Sequence, residues 1–129
     1  MVVVDTSVWI AAFRQRDSKE ATALRGLLDS DRVALAAPVQ VELLSGASLA
    51  DLPRLKRVLS ALPFWQPQRA TWRRIEEWIE LVTAEGERFG FADLLIAALA
   101  AEREASVWSL DKAFVRMDRL GLVRVHATT

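Results

Sequence analysis

An α/β fold with a central, mostly parallel sheet is predicted by three features of the sequence. Short apolar runs of strand length alternate with longer segments of helical periodicity. Strands that alternate with helices form a parallel sheet wrapped by those helices. Acidic residues follow the ends of the strand-like runs, where α/β sheets bind ligands. At 129 residues, with 52% apolar residues, the chain is expected to form a single domain over residues 1–129.

The chain opens with a predicted strand followed by two helices. MVVVD is a short buried strand that ends at Asp5, and Thr6 or Ser7 can cap the next helix. After the polar segment RQRDSK, a second helix is predicted from Glu20 to Asp29, because its leucines fall on one face.

A second strand and two more helices follow. The strand RVALAAP ends before Pro38, and proline is favourable in the first turn of a helix. VQVELLSG is therefore predicted to be a helix that ends at Gly46, and Asp51 can cap the helix after it. The predicted apolar stripe of that fourth helix consists of Leu55, Val58, Leu59 and Leu62.

The segment FWQP is a possible short strand before a long amphipathic helix. This helix is predicted to begin at Thr71 and to end at Gly86. The residues expected to point inward are Trp72, Ile75, Trp78, Ile79 and Val82.

The last part of the chain contains a buried helix, a strand, a short helix and a final strand. Residues 90–104 hold a helix that is apolar nearly all round, as expected of a fully buried one. ASVWSL is a strand that ends at Asp111, the helix from Lys112 to Leu120 is closed by Gly121, and LVRV is the last strand.

The composition excludes several kinds of chemistry. The chain has no cysteine, which removes disulfides, thiolate catalysis and zinc–sulfur sites and favours a reducing compartment. The longest apolar run is too short to span a bilayer, and no signal peptide opens the chain. We therefore expect a soluble, cytoplasmic protein. Lys and Arg balance Asp and Glu at 17 each, so overall charge decides little about nucleic acid.

Four acids stand beside apolar runs: Asp5, Glu42, Asp93 and Asp111. Each alone has an ordinary explanation as a helix cap, a turn residue or a partner of a helix dipole. Together they are unusual, because ionised carboxylates that converge near a core raise each other's pKa and destabilise the fold. A divalent cation such as Mg²⁺ or Mn²⁺ removes that penalty.

Around these acids the sequence resembles a known family. VVVDTSVWI, PVQVELLSG, FGFADLLIAALA and VWSLDKAF are similar to the four acidic blocks of PIN-domain ribonucleases, in the same order and spacing. The blocks resemble most closely those of VapC toxins from type II toxin–antitoxin pairs. The resemblance covers essentially the whole chain and implies a three-layer α/β/α sandwich that cleaves RNA with Mg²⁺ or Mn²⁺.

The resemblance also implies roles for individual residues. The family's catalytic acids fall on the four residues above, and Asp5 and Asp93 are expected to touch the metal directly. Glu42 and Asp111 would bind it through water or orient the attacking water. The small hydroxyl residues of the family correspond to Thr6, Ser7 and Ser109. Many relatives carry a second acid two residues after the fourth one, where this chain has Ala113. The number of metals, one or two, therefore stays open.

Other residues are weaker candidates for contacts with RNA. Basic side chains that could rim the pocket are Arg14, Arg16, Lys19 and Lys112. Tryptophans that could stack on bases are Trp9, Trp65 and Trp72. Tryptophan at helical spacing usually belongs to a core or an interface, and His126 is expected to be a surface residue without a catalytic role.

The resemblance further implies protein partners. A VapB-type antitoxin would lay an apolar helix in a groove and direct a basic side chain at the acids, since arginine forks onto carboxylates. A two-fold homodimer is also expected. The helices around residues 55–62 and 72–82 carry apolar surface for both contacts.

The sequence has some features of four other functions. A haloacid-dehalogenase phosphatase needs a second Asp at the place of Ser7, and a receiver domain needs a pair of acids near the first strand. Both are poor matches. A non-catalytic scaffold is a further alternative, against which the presence of all four acids argues. A DNA nuclease is the closest enzymatic alternative, because contacts to the 2′-hydroxyl are not readable from the sequence.

Overall fold

The structure, a computed structural model, describes residues 1–127. Within this range the sheet is built from the strands β1 (Val2–Val4), β2 (Val33–Ala36), β3 (Phe64–Trp65), β4 (Ser106–Trp108) and β5 (Arg124–Val125). The helices are α1 (Thr6–Arg14), α2 (Lys19–Asp29), α3 (Ala37–Gly46), α4 (Leu52–Ser60), α5 (Arg69–Ala84), α6 (Phe91–Glu102) and α7 (Ala113–Arg119). Among these residues no helix combines the length and the apolar character that a membrane crossing needs.

β1 lies in the middle of the sheet, and the later strands add first to one side of it and then to the other. The strand order is β3-β2-β1-β4-β5, and all neighbouring strands are parallel. The chain first builds the side of β2 and β3 and then crosses to the side of β4 and β5. The carboxyl ends of β1 and β4 therefore form a switch point of the kind at which parallel sheets bind ligands. Asp5 and Ser109 directly follow these two strands.

The sheet is covered by helices on both faces. Val2, Val3 and Val4 are each at most 1% exposed, although successive side chains of a strand point to opposite faces. β2 is buried along its whole length as well. Burial on both faces is typical of parallel sheets between helices, so the predicted α/β/α sandwich is confirmed.

α6 is the central helix of the core. Its residues from Leu94 to Ala100 are all buried, and the helix packs on α3, α5 and β4. Alanine at three of these seven positions, 97, 98 and 100, and at the following position 101 keeps the helix slim enough for such close neighbours. The first turn of this rigid helix carries Asp93, so the core fixes where that carboxylate can lie.

The stripe predicted for α5 was wrong at two positions. The helix begins at Arg69, earlier than predicted, and it buries Thr71, Ile75, Trp78 and Val82. Trp72 and Ile79, expected to point inward, are 41% and 46% exposed. The hydroxyl of Thr71 accepts a hydrogen bond from the backbone N–H of Gln68 at 3.0 Å. This bond satisfies a polar group inside the core. The buried face of the helix therefore includes Thr71 in place of the neighbouring Trp72.

Several predicted ends of helices and strands also need correction. Neither Thr6 nor Ser7 caps α1, because both lie inside its first turn and Asp5 occupies the cap position. Val58 on α4 is 47% exposed and does not belong to the buried stripe. β4 ends at Trp108 rather than at Asp111, because Ser109 and the two residues after it form a loop at the site.

Candidate active site

Asp5 is the most buried acid of the described chain and connects the two central strands. Its side chain is 7% exposed, and its backbone N–H donates to the carbonyl of Trp108 at 2.8 Å. Its Oδ2 accepts hydrogen bonds from the hydroxyls of Ser7 at 2.8 Å and of Ser109 at 2.7 Å. These bonds offset the cost of burying a carboxylate and fix its orientation.

The two serines also hold the loop after β4. Their hydroxyl oxygens are 3.3 Å apart. The hydroxyl of Ser7 accepts from the backbone N–H of Leu110 at 3.1 Å, and that of Ser109 accepts from the N–H of Asp111 at 2.9 Å. One network thus connects the end of β1, the first turn of α1 and the loop that carries the fourth acid. A supporting role of the two serines in catalysis stays a prediction.

Asp111 and Glu42 approach the site from two other elements. Oδ1 of Asp111 accepts from the backbone N–H of Ala113 at 2.9 Å, which places the carboxylate at the start of α7. Glu42 is exposed on α3, and its Oε1 accepts from the hydroxyl of Thr6 at 3.1 Å. The ordinary role considered for Asp111, that of a turn residue before the helix, is therefore present, and its second oxygen takes no part in this turn bond.

Asp93 shows that the four acids share one electrostatic environment. Its pKa is raised from 3.8 to about 6, first by burial and then by the negative charges of Asp111, Asp5 and Glu42. The positive charge of Arg116 acts in the opposite direction. No feature of the sequence points to this arginine, because only the packing of α7 beside α6 brings it close.

The donor atoms fit a divalent metal ion in their chemistry. All are oxygens, which Mg²⁺ and Mn²⁺ prefer. Both serines donate to Oδ2 of Asp5, and no donor within residues 1–127 reaches its Oδ1. The salt bridge found in that range joins Arg116 to Glu87, so no basic side chain there forms a direct ion pair with any of the four acids. As they stand, however, no three Asp, Glu or His residues of the described chain are arranged to hold a metal ion. The carboxylates come within electrostatic range without forming a closed cage.

The basic residues predicted to contact RNA lie in different parts of the structure. Arg14 and Arg16 line a groove of about 930 Å³ that also includes Glu42. Lys19 and Lys112 are exposed at the start of α2 and just before α7. None of the four forms a salt bridge with a described residue, and whether they bind RNA stays a prediction.

The tryptophans predicted to stack on bases differ in their exposure. Trp9 and Trp65 are 2% and 7% exposed, so they belong to the core and cannot stack on bases. Trp72 is exposed. His126 is partly buried beside the ring of Trp108, with ring centroids 6.0 Å apart. Burial, followed by the charges of Arg32 and the N-terminal amine, lowers the pKa of His126, and none of the four acids contributes.

The fold and this acidic centre define a PIN domain. Residues 2–120 match the PIN domain family, and the chain belongs to it. Two mycobacterial proteins, Ribonuclease VapC11 of Mycobacterium tuberculosis and VapC ribonuclease Mb1587 of Mycobacterium bovis, are each 34% identical to the chain over 120 residues. These matches cover 88% of this chain and 89% of either relative, which supports its place among the VapC ribonucleases.

Solved structures show the same fold. The complex FitAB bound to IR36 DNA has a chain that superposes with a TM-score of 0.82, at 19% identity over 99% of this chain and 95% of that one. VapBC2 from Rickettsia felis, bound to a DNA fragment from its promoter, gives a TM-score of 0.78 at 19% identity over 98% of both chains. The predicted family and fold are thus confirmed.

Proposed function

We propose that this protein is a metal-dependent endoribonuclease and the toxin of a VapB–VapC pair, and that it cleaves RNA phosphodiester bonds until an antitoxin binds it. The observation that carries the proposal is the acidic centre at the switch point of the sheet. There Asp5 is held by two serines, and the charges of three acids raise the pKa of Asp93. VapC ribonucleases that are 34% identical support RNA as the substrate class.

The metal in this proposal is Mg²⁺ or Mn²⁺. Asp5 and Asp93 would contact it directly, and Glu42 and Asp111 would do so directly or through water. When bound, such an ion polarises a phosphate oxygen and lowers the pKa of water. Oδ1 of Asp5 suits this role because the serines occupy only Oδ2. Since the described acids are not closed into a cage, these carboxylates would have to move closer together to hold the ion.

The remaining residues orient the reacting groups. Ser7 and Ser109 keep the Asp5 carboxylate in one orientation, and Ser109 also fixes the backbone that leads to Asp111. Oδ2 of Asp111 can accept a hydrogen bond from the attacking water, because the turn bond from the N–H of Ala113 uses only Oδ1. The hydroxyl of Thr6 donates to Glu42 on α3, and Glu42 is a second candidate for accepting a hydrogen bond from the attacking water.

The antitoxin has a suitable docking surface in the groove of about 930 Å³, which we call the α1–α4 groove. Its exposed apolar side chains are Ile10, Phe13 and Val58. An amphipathic helix with apolar residues at helical spacing fits such a surface. Because Glu42 lies in the same groove, a basic side chain of the partner could reach the acids from there. Chains of VapBC complexes share the fold, which is consistent with this partner.

We also propose that the chain forms one domain and a two-fold homodimer. The exposed side chains of Ile79 and Leu81 on α5 supply apolar surface for such a contact.

The test is cleavage of a labelled total-RNA pool by the purified protein with Mg²⁺, with Mn²⁺ and with EDTA. The variants are Asp5→Asn and Asp93→Asn, and Glu77→Gln on the exposed face of α5 is the matched control. We expect cleavage with metal only, lost in both Asn variants and kept in the control. Cleavage in EDTA would refute the proposed dependence on a metal ion. If calorimetry shows metal binding and the protein cuts DNA but not RNA, the protein is a DNA nuclease. If it neither binds metal nor cleaves nucleic acid, it is a non-catalytic scaffold.

A further inference from the structure

Arg116 on α7 is held against the segment that leads into α6. Its Nε donates to Oε2 of Glu87 at 2.9 Å, and the central carbon of its guanidinium lies 5.0 Å from the centroid of the Phe89 ring. Both partners lie in the short segment between α5 and α6. A carboxylate at one edge and an aromatic ring at one face fix the orientation of the planar guanidinium.

This position borders the acidic centre on two sides. Asp93 lies in the first turn of α6, and the positive charge of Arg116 acts on it. On α7, Arg116 lies one turn after Ala113, whose backbone N–H donates to Oδ1 of Asp111 at 2.9 Å. Within residues 1–127, however, Arg116 forms an ion pair with neither acid. The guanidinium is therefore close to the site but remains available to a substrate.

Most donors of this guanidinium are not used by the described part of the chain. An arginine carries several N–H donors in a planar fork, and in Arg116 only Nε donates to a residue in that range. The side chain is 43% exposed, so a ligand can reach its terminal nitrogens. Its partner Glu87 is 33% exposed, and ion pairs exposed to this degree contribute little to stability. A purely structural link is therefore a weak explanation for this arginine.

An RNA strand needs a positive charge at this place. A single divalent ion offsets only half the charge of four ionised carboxylates, so a phosphate that approaches them is still repelled. A cation fixed beside the acids, without an ion pair to them, lowers this repulsion. The fork of a guanidinium also matches the geometry of two phosphate oxygens. Among the described residues, Arg116 combines this fork with a charge that acts on Asp93.

We propose that Arg116 binds a backbone phosphate of the RNA beside the acidic centre, and that Glu87 and Phe89 hold its guanidinium in place for this contact. This inference rests on the proposed ribonuclease function and adds a substrate-binding residue to it. A contact with phosphate fixes the position of a strand and carries no sequence information. Arg116 thus contributes to the affinity for RNA and to its register at the acids, and not to the choice of base.

The experiment measures how the Kd for a labelled single-stranded RNA oligonucleotide depends on the concentration of KCl, by fluorescence anisotropy. All proteins carry Asp5→Asn and are kept in EDTA, so that the RNA stays intact while the partners of Arg116 are unchanged. Arg116→Gln removes the charge, and Arg116→Lys keeps the charge without the fork. Glu87→Gln removes the partner of the arginine and leaves the arginine itself.

The matched control is Arg103→Gln. Arg103 also lies 5.0 Å from the centroid of an aromatic ring, that of Trp65. It follows the opposite end of α6, about 15 Å from Asp93 along the helix axis. Thermal unfolding of each variant verifies that the protein is folded.

We expect Arg116→Gln to raise Kd about 5- to 20-fold, because a charged contact is lost. The slope of log Kd against the logarithm of the KCl concentration should fall by about 0.7, the value for one phosphate of a single strand. Arg116→Lys should keep this slope and raise Kd by less. Glu87→Gln should keep the slope as well, and Arg103→Gln should change neither quantity. An oligonucleotide with uncharged methylphosphonate linkages should bind the parent and Arg116→Gln equally.

Two results would show that the contact between Arg116 and Glu87 is only a structural link. The first is an unchanged slope in Arg116→Gln, and the second is an equal loss of affinity in Glu87→Gln. An equal effect of Arg103→Gln would indicate general attraction to positive charge and would also overturn the proposal, as would a parent that binds no RNA. The ribonuclease function is judged separately, by cleavage of RNA by the wild-type protein.

Discussion

Asp93→Asn is expected to stabilise the metal-free protein while it abolishes metal binding. Asp93 carries a penalty in the folded state, because burial and three neighbouring acids oppose its negative charge. Asn has the same size and no charge, so the variant removes the repulsion without leaving a cavity. Most substitutions in a folded protein lower its stability, and a gain here would be specific to this electrostatic cause.

The size of the effect follows from the pKa of Asp93. A rise from 3.8 to about 6 corresponds to about 3 kcal/mol, since each step of one in pKa is worth about 1.4 kcal/mol. This is an upper bound, because the carboxylate is partly solvated and its position in the first turn of α6 favours a negative charge. We expect a gain of about 1–2 kcal/mol at neutral pH, which raises Tm by about 3–8 °C in a chain of this size.

The gain should depend on pH with a definite sign. A carboxyl group whose pKa is raised by folding binds its proton more tightly in the folded protein, so its destabilising effect is complete above the folded pKa of about 6. The effect shrinks as the pH falls through about 6 and disappears below the unfolded value near 4. The difference in Tm between variant and wild type should follow the same course.

The assay is thermal unfolding of both proteins in EDTA and in saturating Mg²⁺, over a series of pH values. Glu20→Gln is the matched control, because Glu20 lies in the first turn of α2 and does not act on Asp93. It should lose a few tenths of a kcal/mol from the helix dipole. Mg²⁺ at about 100 times its Kd should add about 2.7 kcal/mol to the wild type and little to the variant, which reverses their order. If Asp93→Asn is no more stable than wild type in EDTA at neutral pH, the four acids do not repel one another and the reasoning is wrong.

Three further predictions concern the network, the pH profile and the groove. Ser109→Ala should lower kcat about 10- to 100-fold and the free energy of unfolding by about 1–3 kcal/mol, because a buried carboxylate loses a donor; Ser60→Ala, an exposed serine at the end of α4, should change neither quantity. The rate of cleavage at low Mg²⁺ should fall as the pH drops through about 6. Since Arg116 lowers the pKa of Asp93, Arg116→Gln should shift this fall in rate to higher pH. A pH profile that does not shift would mean that Arg116 does not act on Asp93. Phe13→Asp, which places a charge in the α1–α4 groove, should weaken antitoxin binding by at least about 30-fold in calorimetry and leave RNA cleavage intact; equal loss of both would mean that Phe13 supports the fold.

The sequence predicted the parts of this fold that depend on apolar periodicity. The strands of β1 and β2, the buried α6 and the acids at the ends of strands all follow from alternation between apolar runs and polar punctuation. The resemblance to PIN-domain ribonucleases then joined four separate acids into one site. The structure brings the same acids within electrostatic range of Asp93.

The sequence could not predict features that depend on individual hydrogen bonds. Thr71 is buried because its hydroxyl accepts from Gln68, and polarity alone would place a threonine at the surface. β4 ends early because the backbone beyond Ser109 bonds to serine hydroxyls instead of a neighbouring strand. The effect of Arg116 on Asp93 also depends on tertiary packing, which has no signature in the order of residues.

The two central acids deal with burial in opposite ways, and this difference explains how the site can bind a cation. Asp5 is more buried, and two hydroxyls compensate it through Oδ2. Asp93 has like charges around it, and its ionised form carries their repulsion. A divalent ion that neutralises this repulsion gains affinity from the free energy that it releases, whereas a carboxylate already compensated by hydrogen bonds releases less. Under the proposed function, the bonds at Asp5 would supply a fixed ligand, and the repulsion at Asp93 would supply the driving force for metal binding, at the expense of stability in the metal-free protein.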